Sequence, residues 1–457
     1  MTNRRFPHIF LGILLIFLVK SCTKDSEPRI DQAVSSESTR QLIIDWNALW
    51  LEVDRYATAT RPNATARALA YIHLAGYETA IIDMPGYASN SGRLEDFQIN
   101  GNPPLETLNR NIALNTCYPK MISHFMQNIP ENIKAKIFEV QAENDVALRQ
   151  GVSDAVYEAS TNWGTYIADQ VIAYSQTDTE AESQILDPQP FSYEPPVAEG
   201  YWTYSADEER AWFPHWKSVR TFVMSPEESS STAPPMNYDT DISSDYYNAM
   251  MEVYESNNDA KENDNEALWI AEFWSDDVEN LMMSPPGRQL SIANQVIQQE
   301  NLEFDTTLAL LLKLGFSLND AAVSAWADKY EYMTMRPSVY IQEHIDTDFQ
   351  TNLYRFIFWP NPSFPSYPSG HAAFASAAAG VFINELGNDI TFTDYSHEGR
   401  TEFRGMPRTF SSFSDMAEEN AYSRVPLGVH CSMDSTEGLR LGYEISDAVN
   451  GLDLSSL

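Results

Sequence analysis

Phe364-Pro365-Ser366-Tyr367-Pro368-Ser369-Gly370-His371-Ala372-Ala373-Phe374 reads as a turn that opens a helix. Ser369 stands where an N-cap belongs, and Gly370 bares the first turn. The apolar, alanine-rich run that follows predicts a helix over 371–386. Unpaired N–H groups at a helix start make an anion site, and His371 lies in the first turn, beside any oxyanion held there. Taken alone, these residues equally describe a plain N-cap with an incidental histidine.

Two flanking segments change the balance. The first is Lys329-Tyr-Glu-Tyr-Met-Thr-Met-Arg336-Pro337, predicted to close a helix over 319–335 that Pro337 stops. Seven residues apart on such a helix, Lys329 and Arg336 share a face and converge on one anion. The second is Ser423-Arg424-Val-Pro-Leu-Gly-Val-His430-Cys-Ser-Met-Asp434. Arg424 adds a third cation. His430 and Asp434 share a face if the helix has begun, and a carboxylate there fixes which ring nitrogen of His430 stays open. Asp434 is alternatively a helix cap, paired with Glu437 in a capping-box-like arrangement. The three segments together supply three cationic groups, a hydroxyl, a helix N-terminus and two histidines, a set suited to a tetrahedral or trigonal-bipyramidal oxyanion.

Outward from these segments the pattern is helical. Apolar residues at helical spacing predict helices over 40–56, 64–82, 108–126, 131–149 and 154–174, then over 245–274, 289–300, 306–314, 319–335, 371–386 and 434–449. Between them, 187–236 is rich in Pro, Tyr, Trp, Ser and Glu without periodicity. Its aromatic content makes it a long ordered excursion, lining an entrance or covering the bundle. Strand alternation is scarce, so the class is all-α.

Composition bounds the partners. Among 457 residues, 65 acidic against 29 basic side chains give a formal charge of -36. Such a surface repels nucleic acid and anionic lipid headgroups, so a local cluster of cations needs a reason. At the N-terminus, Arg4 and Arg5 precede an apolar run over 10–19 too short to span a bilayer. Lys20, Ser21 and Cys22 follow, then a polar tether over 23–39 and the helical domain over 40–457. The start resembles a bacterial lipoprotein signal over 1–22. That resemblance implies a lipidated Cys22, attachment by a lipid anchor only, and residence in the cell envelope of a bacterium, on the periplasmic face or the cell surface. Cys117 and Cys431 are left, free or paired, and no zinc-type spacing of Cys and His occurs. Oligomeric state is not legible.

The pattern Lys-x6-Arg-Pro, Pro-Ser-Gly-His, Ser-Arg-x5-His-x3-Asp resembles the three-part signature of the type 2 phosphatidic acid phosphatase superfamily, which includes lipid phosphatases, bacterial acid phosphatases and vanadium-dependent haloperoxidases. Phe273-Trp-Ser-Asp-Asp277 and Pro285-Pro-Gly287 look like the bacterial and fungal haloperoxidase branch. Trp326, one turn before Lys329, and Phe364 occupy positions that in chloroperoxidases and bacterial iodoperoxidases flank the halide; they are otherwise core aromatics. The resemblance implies a mainly helical fold with two four-helix bundles, of the haloperoxidase and acid phosphatase type.

It further implies orthovanadate as cofactor, with hydrogen peroxide and a halide as substrates. Lys329, Arg336 and Arg424 would neutralise the equatorial oxygens with Ser369 and the Gly370 N–H. His430 would be the single metal ligand, oriented by Asp434. His371 would serve as acid–base group, with Asp277 orienting it, and Lys329 would polarise peroxide. Iodide is the easiest halide to oxidise and the first expected, then bromide. The rival readings are a phosphatase with His430 as nucleophile and a non-catalytic oxyanion-binding lipoprotein.

Overall fold

The computed structural model describes residues 34–456, apart from 102, 104–106, 206–208, 231, 277 and 357–360. The signal, Cys22 and all but the end of the tether lie outside the described residues, as does Asp277. The described residues form α1 (Ser36–Tyr56), α2 (Asn63–Ala80), α3 (Arg110–Phe125), α4 (Glu131–Leu148), α5 (Asp154–Gln176), α6 (Thr179–Leu186), α7 (Asp245–Asn263), α8 (Glu266–Phe273), α9 (Pro285–Gln299) and α10 (Phe304–Tyr332). Then come α11 (Pro337–His344), α12 (Gly370–Leu386), β1 (Phe392–Asp394), β2 (Arg408–Phe410), α13 (Phe413–Tyr422), α14 (Arg424–Leu427) and α15 (Ser432–Asn450). The two short strands pair antiparallel. The all-α class expected from the sequence is what the chain adopts.

Most predicted helices start and end near their caps. Ser35 accepts from Ser38 N and so begins α1 inside the stretch assigned to the tether. Three predictions need correction. The separate helices over 306–314 and 319–335 are one, α10. Gly315, in the gap between the two, is a contact: a Cβ there would stand 2.9 Å from Ala70 Cα of α2, so glycine lets two helices cross closely. The single helix over 245–274 is two, because Asp264 turns left-handed with φ 48° between α7 and α8. Finally, α10 ends at Tyr332 with Met333 left-handed (φ 50°). Arg336 caps α11, and Pro337 starts that helix at its first position instead of stopping one. Lys329 and Arg336 therefore sit on different elements and do not share a helix face.

The core is built around α10, which packs on α2 and α12 and whose apolar stretch is wholly buried. By length and composition α10 would cross a bilayer; here it is the central helix of the core. Helices α12 and α15 pack most intimately. A Cβ at Gly438 would lie 2.4 Å from Ser369 O, so that glycine brings the start of α12 against the first turns of α15. The excursion over 187–236 is pinned down. Trp202, Phe213 and Trp216 are buried, and the buried carboxylate of Asp320 on α10 accepts from the backbone N–H groups of Phe222, Val223 and Met224 at 2.8, 2.8 and 3.0 Å.

Cys117 and Cys431 are free, buried thiols. Burial pushes the Cys117 thiol up to about 12 and raises Cys431 as well, with the Asp434 charge adding to it. The thiolate is the reactive form. Iodoacetamide at about pH 8, read out by peptide mapping, is thus expected to leave both unmodified in the native protein. Both should be alkylated after denaturation without reductant; labelling that requires reductant would mean a disulfide.

Candidate functional site

The three segments meet at the start of α12. Ser369 is its N-cap, accepting from Ala372 N, while its own N–H donates to Asp434 O at 2.9 Å. Gly370 and His371 form the first turn. The long α10 delivers Lys329, the start of α11 delivers Arg336, and α14 delivers Arg424. All three cations are wholly buried. Burying a charge is expensive unless it is bonded, and here backbone carbonyls do most of the bonding. Lys329 Nζ donates to the carbonyls of Pro365 (3.1 Å), Ser366 (2.8 Å) and Pro368. Arg336 donates from Nε to Phe364 O (2.9 Å) and from Nη1 to Val429 O (3.0 Å). Arg424 Nη1 donates to the carbonyls of Trp274 (3.1 Å) and Ser275 (3.3 Å).

His430 sits just before α15, between these cations and Asp434. Its Nδ1 lies 2.9 Å from Asp434 Oδ2 and its Nε2 3.2 Å from Arg336 Nη1. A carboxylate accepts and a guanidinium donates, so Nδ1 carries the proton and Nε2 is the unprotonated nitrogen, its lone pair turned to Arg336. Burial, then Arg336, Lys329 and Arg424, hold the His430 pKa well below its ordinary value. The imidazole is neutral, as a metal ligand or nucleophile requires. The same crowding holds Lys329 well below the usual lysine range, burial first and then Arg336. Asp434 is not a helix cap. Cys431 holds that position, and Glu437 pairs with Arg440 instead, so the capping-box alternative fails and Asp434 is left to His430.

His371 Nε2 lies 3.1 Å from Ser275 O, which must accept, so Nδ1 is the basic nitrogen. Trp326 and Phe364 pack together with centroids 4.9 Å apart, and Lys329 Nζ lies 5.6 and 5.2 Å from their rings. Both aromatics, Gly370, His371, Arg424 and His430 border one pocket with about 290 Å³ of free space.

Sequence reasoning missed two sets of residues. Ser366 donates to Asp434 Oδ2 and lies 3.3 Å from His430 Nδ1; it precedes the recognised Pro-Ser-Gly-His and looked like part of a turn. A second set is a fully buried charge cluster in which Arg288 Nε meets Asp276 Oδ2 at 3.2 Å and Nη1 meets Asp394 Oδ2 at 3.4 Å. His397 Nε2 lies 3.5 Å from Asp276 Oδ1 and 3.2 Å from Phe273 O. Asp276 has φ 46°, a conformation few non-glycine residues hold unaided. The cluster clamps the turn whose Trp274 and Ser275 carbonyls hold Arg424 and His371. Its members are spread along the chain from Asp276 to His397, 121 positions apart, and carry no motif.

The residues fit a metal oxyanion. Arg424 and His430 border the pocket, Lys329 and Arg336 are buried beside them with Asp434 and Asp328 among the nearby carboxylates, and one neutral imidazole nitrogen faces Arg336. A Cβ on Gly370 would stand 3.2 Å from Trp326 and 3.9 Å from Lys329 Cε, so its absence keeps room beside the cations. Among the described residues no cluster of His, Cys, Asp and Glu is arranged to hold a bare metal cation.

Comparison with known proteins agrees with this geometry. Residues 309–453 match the family model of the VCPO second helical-bundle domain. A vanadium-dependent bromoperoxidase of Ascophyllum nodosum is 34% identical over 95 residues, 19% of this chain and only 17% of that relative's length. The fold is similar to that of a bacterial vanadium-dependent iodoperoxidase (TM-score 0.78, 24% identity, 91% of this chain and 98% of that one). It is also similar to a bacterial vanadium-dependent chloroperoxidase in its holo form (TM-score 0.65, 15% identity, 86% and 93%).

A pocket bordered by buried cations should be stabilised by a matching anion. Phosphate or orthovanadate is expected to raise the thermal midpoint, with a gain of about 2.7 kcal/mol at 100 times the dissociation constant. Arg424→Ala should weaken that binding by roughly tenfold or more. Full retention of the anion-induced shift in this variant would detach Arg424 from the anion.

Proposed function

We propose that this chain, whose fold is that of the vanadium-dependent haloperoxidases and whose residues 309–453 match the second helical bundle of that family, oxidises halide with hydrogen peroxide on a vanadate held at the start of α12. The observation that carries the reading is His430 Nε2, a neutral nitrogen on the wall of the pocket, facing Arg336 and surrounded by three buried cations. Lys329, Arg336 and Arg424 would hold the oxygens, aided by Ser369 and the Gly370 N–H. His430 would be the ligand, kept in one tautomer by Asp434 and Ser366. Bound vanadate supplies a Lewis acid that keeps its oxidation state.

His371 Nδ1 takes and returns the proton that peroxide must lose, while Nε2 stays on the Ser275 carbonyl. The Ser275 carbonyl anchors His371 at 3.1 Å; the role expected of Asp277 falls on a residue outside those described. Lys329, close to Trp326 and Phe364, would polarise peroxide beside the halide. Iodide is the proposed halide, being the easiest to oxidise, and bromide the next. The balance is H2O2 + X⁻ + H⁺ → HOX + H2O.

The test loads the purified protein with orthovanadate and follows iodide and bromide oxidation by peroxide beside a phosphatase assay. Vanadate-dependent halide oxidation is expected, and His430→Ala should abolish it. Phosphatase turnover that vanadate blocks, without halide oxidation, would replace the reading by a histidine-nucleophile phosphatase. We further propose a lipid anchor at Cys22 in the cell envelope, on the strength of Arg4, Arg5 and the apolar run over 10–19. Cells fed radiolabelled palmitate should label the wild type and not Cys22→Ala; equal labelling would refute the anchor.

A further inference from the structure

A separate pocket is walled by tyrosine. Tyr201, Tyr238, Tyr246 and Tyr332 line it together with Met236, and Glu199 adds a carboxylate. None of these residues borders the cationic pocket, and no Lys, Arg or His occurs among the described residues of the lining. We propose that this pocket binds an alkylated ammonium ion, a free choline-like molecule in the simplest case. The proposal stands apart from the haloperoxidase reading and does not depend on it.

The walls are preset. The excursion is stitched to the turn after α10: Met335 N–H donates to Gly200 O at 3.0 Å, and Trp202 N–H donates to Met333 O at 2.6 Å. Between these bonds Tyr201 and Thr334 pair antiparallel. Gly200 has φ 78°, and a Cβ on it would stand 2.5 Å from Tyr238 Cβ, so glycine lets the two tyrosine-bearing stretches meet. Tyr238 is held by its neighbours, with ring centroids 5.6 Å from Tyr246 and 5.7 Å from Tyr340, and with its Oη 2.9 Å from His344 Nε2. Tyr332 packs edge-on against Tyr367 at 5.8 Å. Rings fixed in this way lose little freedom when a ligand enters.

The chemistry of the lining selects the ligand. The negative face of an aromatic ring attracts a cation, and several rings around one ammonium group add their attractions. An ammonium clothed in methyl groups suits such rings and the polarisable thioether of Met236 alike. Negative charge lies close by: burial raises the Tyr238 hydroxyl, and the charges of Glu199 and of Glu343 on α11 raise it further. His344, which touches Tyr238, is itself 3.7 Å from Glu343. In a chain of formal charge -36, this corner repels a phosphate. A free ammonium is thereby favoured over a phospholipid headgroup, whose phosphate would follow the ammonium in.

Saturation-transfer NMR tests the site by titrating the purified protein with choline, with phosphocholine and with the neutral alcohol in which carbon replaces choline's nitrogen. About 0.15 M salt screens diffuse attraction to the acidic surface. Choline is expected to bind roughly tenfold tighter than either of the other two. Tyr201→Leu and Glu199→Gln should each weaken choline by roughly threefold or more, whereas Tyr201→Phe, which keeps the ring, should hold the wild-type affinity. Both positions are exposed, so these changes spare the core. Absence of choline binding overturns the site, and so does a neutral analogue or phosphocholine that binds as tightly as choline. Full affinity in both Tyr201→Leu and Glu199→Gln would place any bound choline elsewhere and overturn it equally.

Discussion

Three positive charges buried together, in a molecule that is otherwise strongly negative, set the terms for everything around them. Lys329, Arg336 and Arg424 have no exposure to water, and repulsion among them is strong at low dielectric. A set of buried carboxylates would quench the charge and leave no reason to take up an anion. The chain sets Asp434 and Asp328 near Lys329 and, among other contacts, turns carbonyl oxygens from residues 365, 366, 368, 429, 274 and 275 toward the three. Carbonyls accept from these donors without adding a full negative charge, which suits a site that takes up an oxyanion.

That solution dictates the fold near the site. Carbonyls face inward only where backbone leaves regular structure, and each carbonyl group comes from a helix boundary or turn: the approach to α12, the loop between α14 and α15, and the turn after α8. Each loop has to be held by something else. The first is held by Ser369 N–H on Asp434 and by the close approach that Gly438 permits. The last is held by Arg288, Asp276 and His397. The large helical core supplies rigid ends from which these turns are suspended.

This division explains what was legible in the sequence. Helix periodicity and caps announce local structure, so most helices and the Ser369 cap were readable, as were the residues of the three segments. Lys329 and Arg336 were correctly paired for an incorrect reason. Pro337 is compatible with both the end and the start of a helix, and the left-handed turn at Met333, which separates the two cations into different elements, has no sequence mark because methionine rarely adopts it. Gly315 does not show that 306–314 and 319–335 are joined, since a glycine that breaks a helix and one that lets another helix approach look alike in one dimension. The Arg288 cluster was invisible because its partners meet only in the tertiary fold.

The excursion over 187–236 gains its meaning from the same logic. A pocket that must stay cationic and largely closed to water needs a cover, and bare helices do not close over the end of a bundle. Trp212 reaches from the excursion to the site, its carbonyl bonded to the indole of Trp326 and the hydroxyl of Tyr330 on α10. Asp320, two turns earlier on the same helix, holds residues 222–224. One helix therefore carries a cation of the site, an aromatic wall and both anchors of the cover. Because α10 is a single rigid rod and not two helices, the cover and the cations keep their spacing, and the aromatic wall between them is as fixed as the core itself.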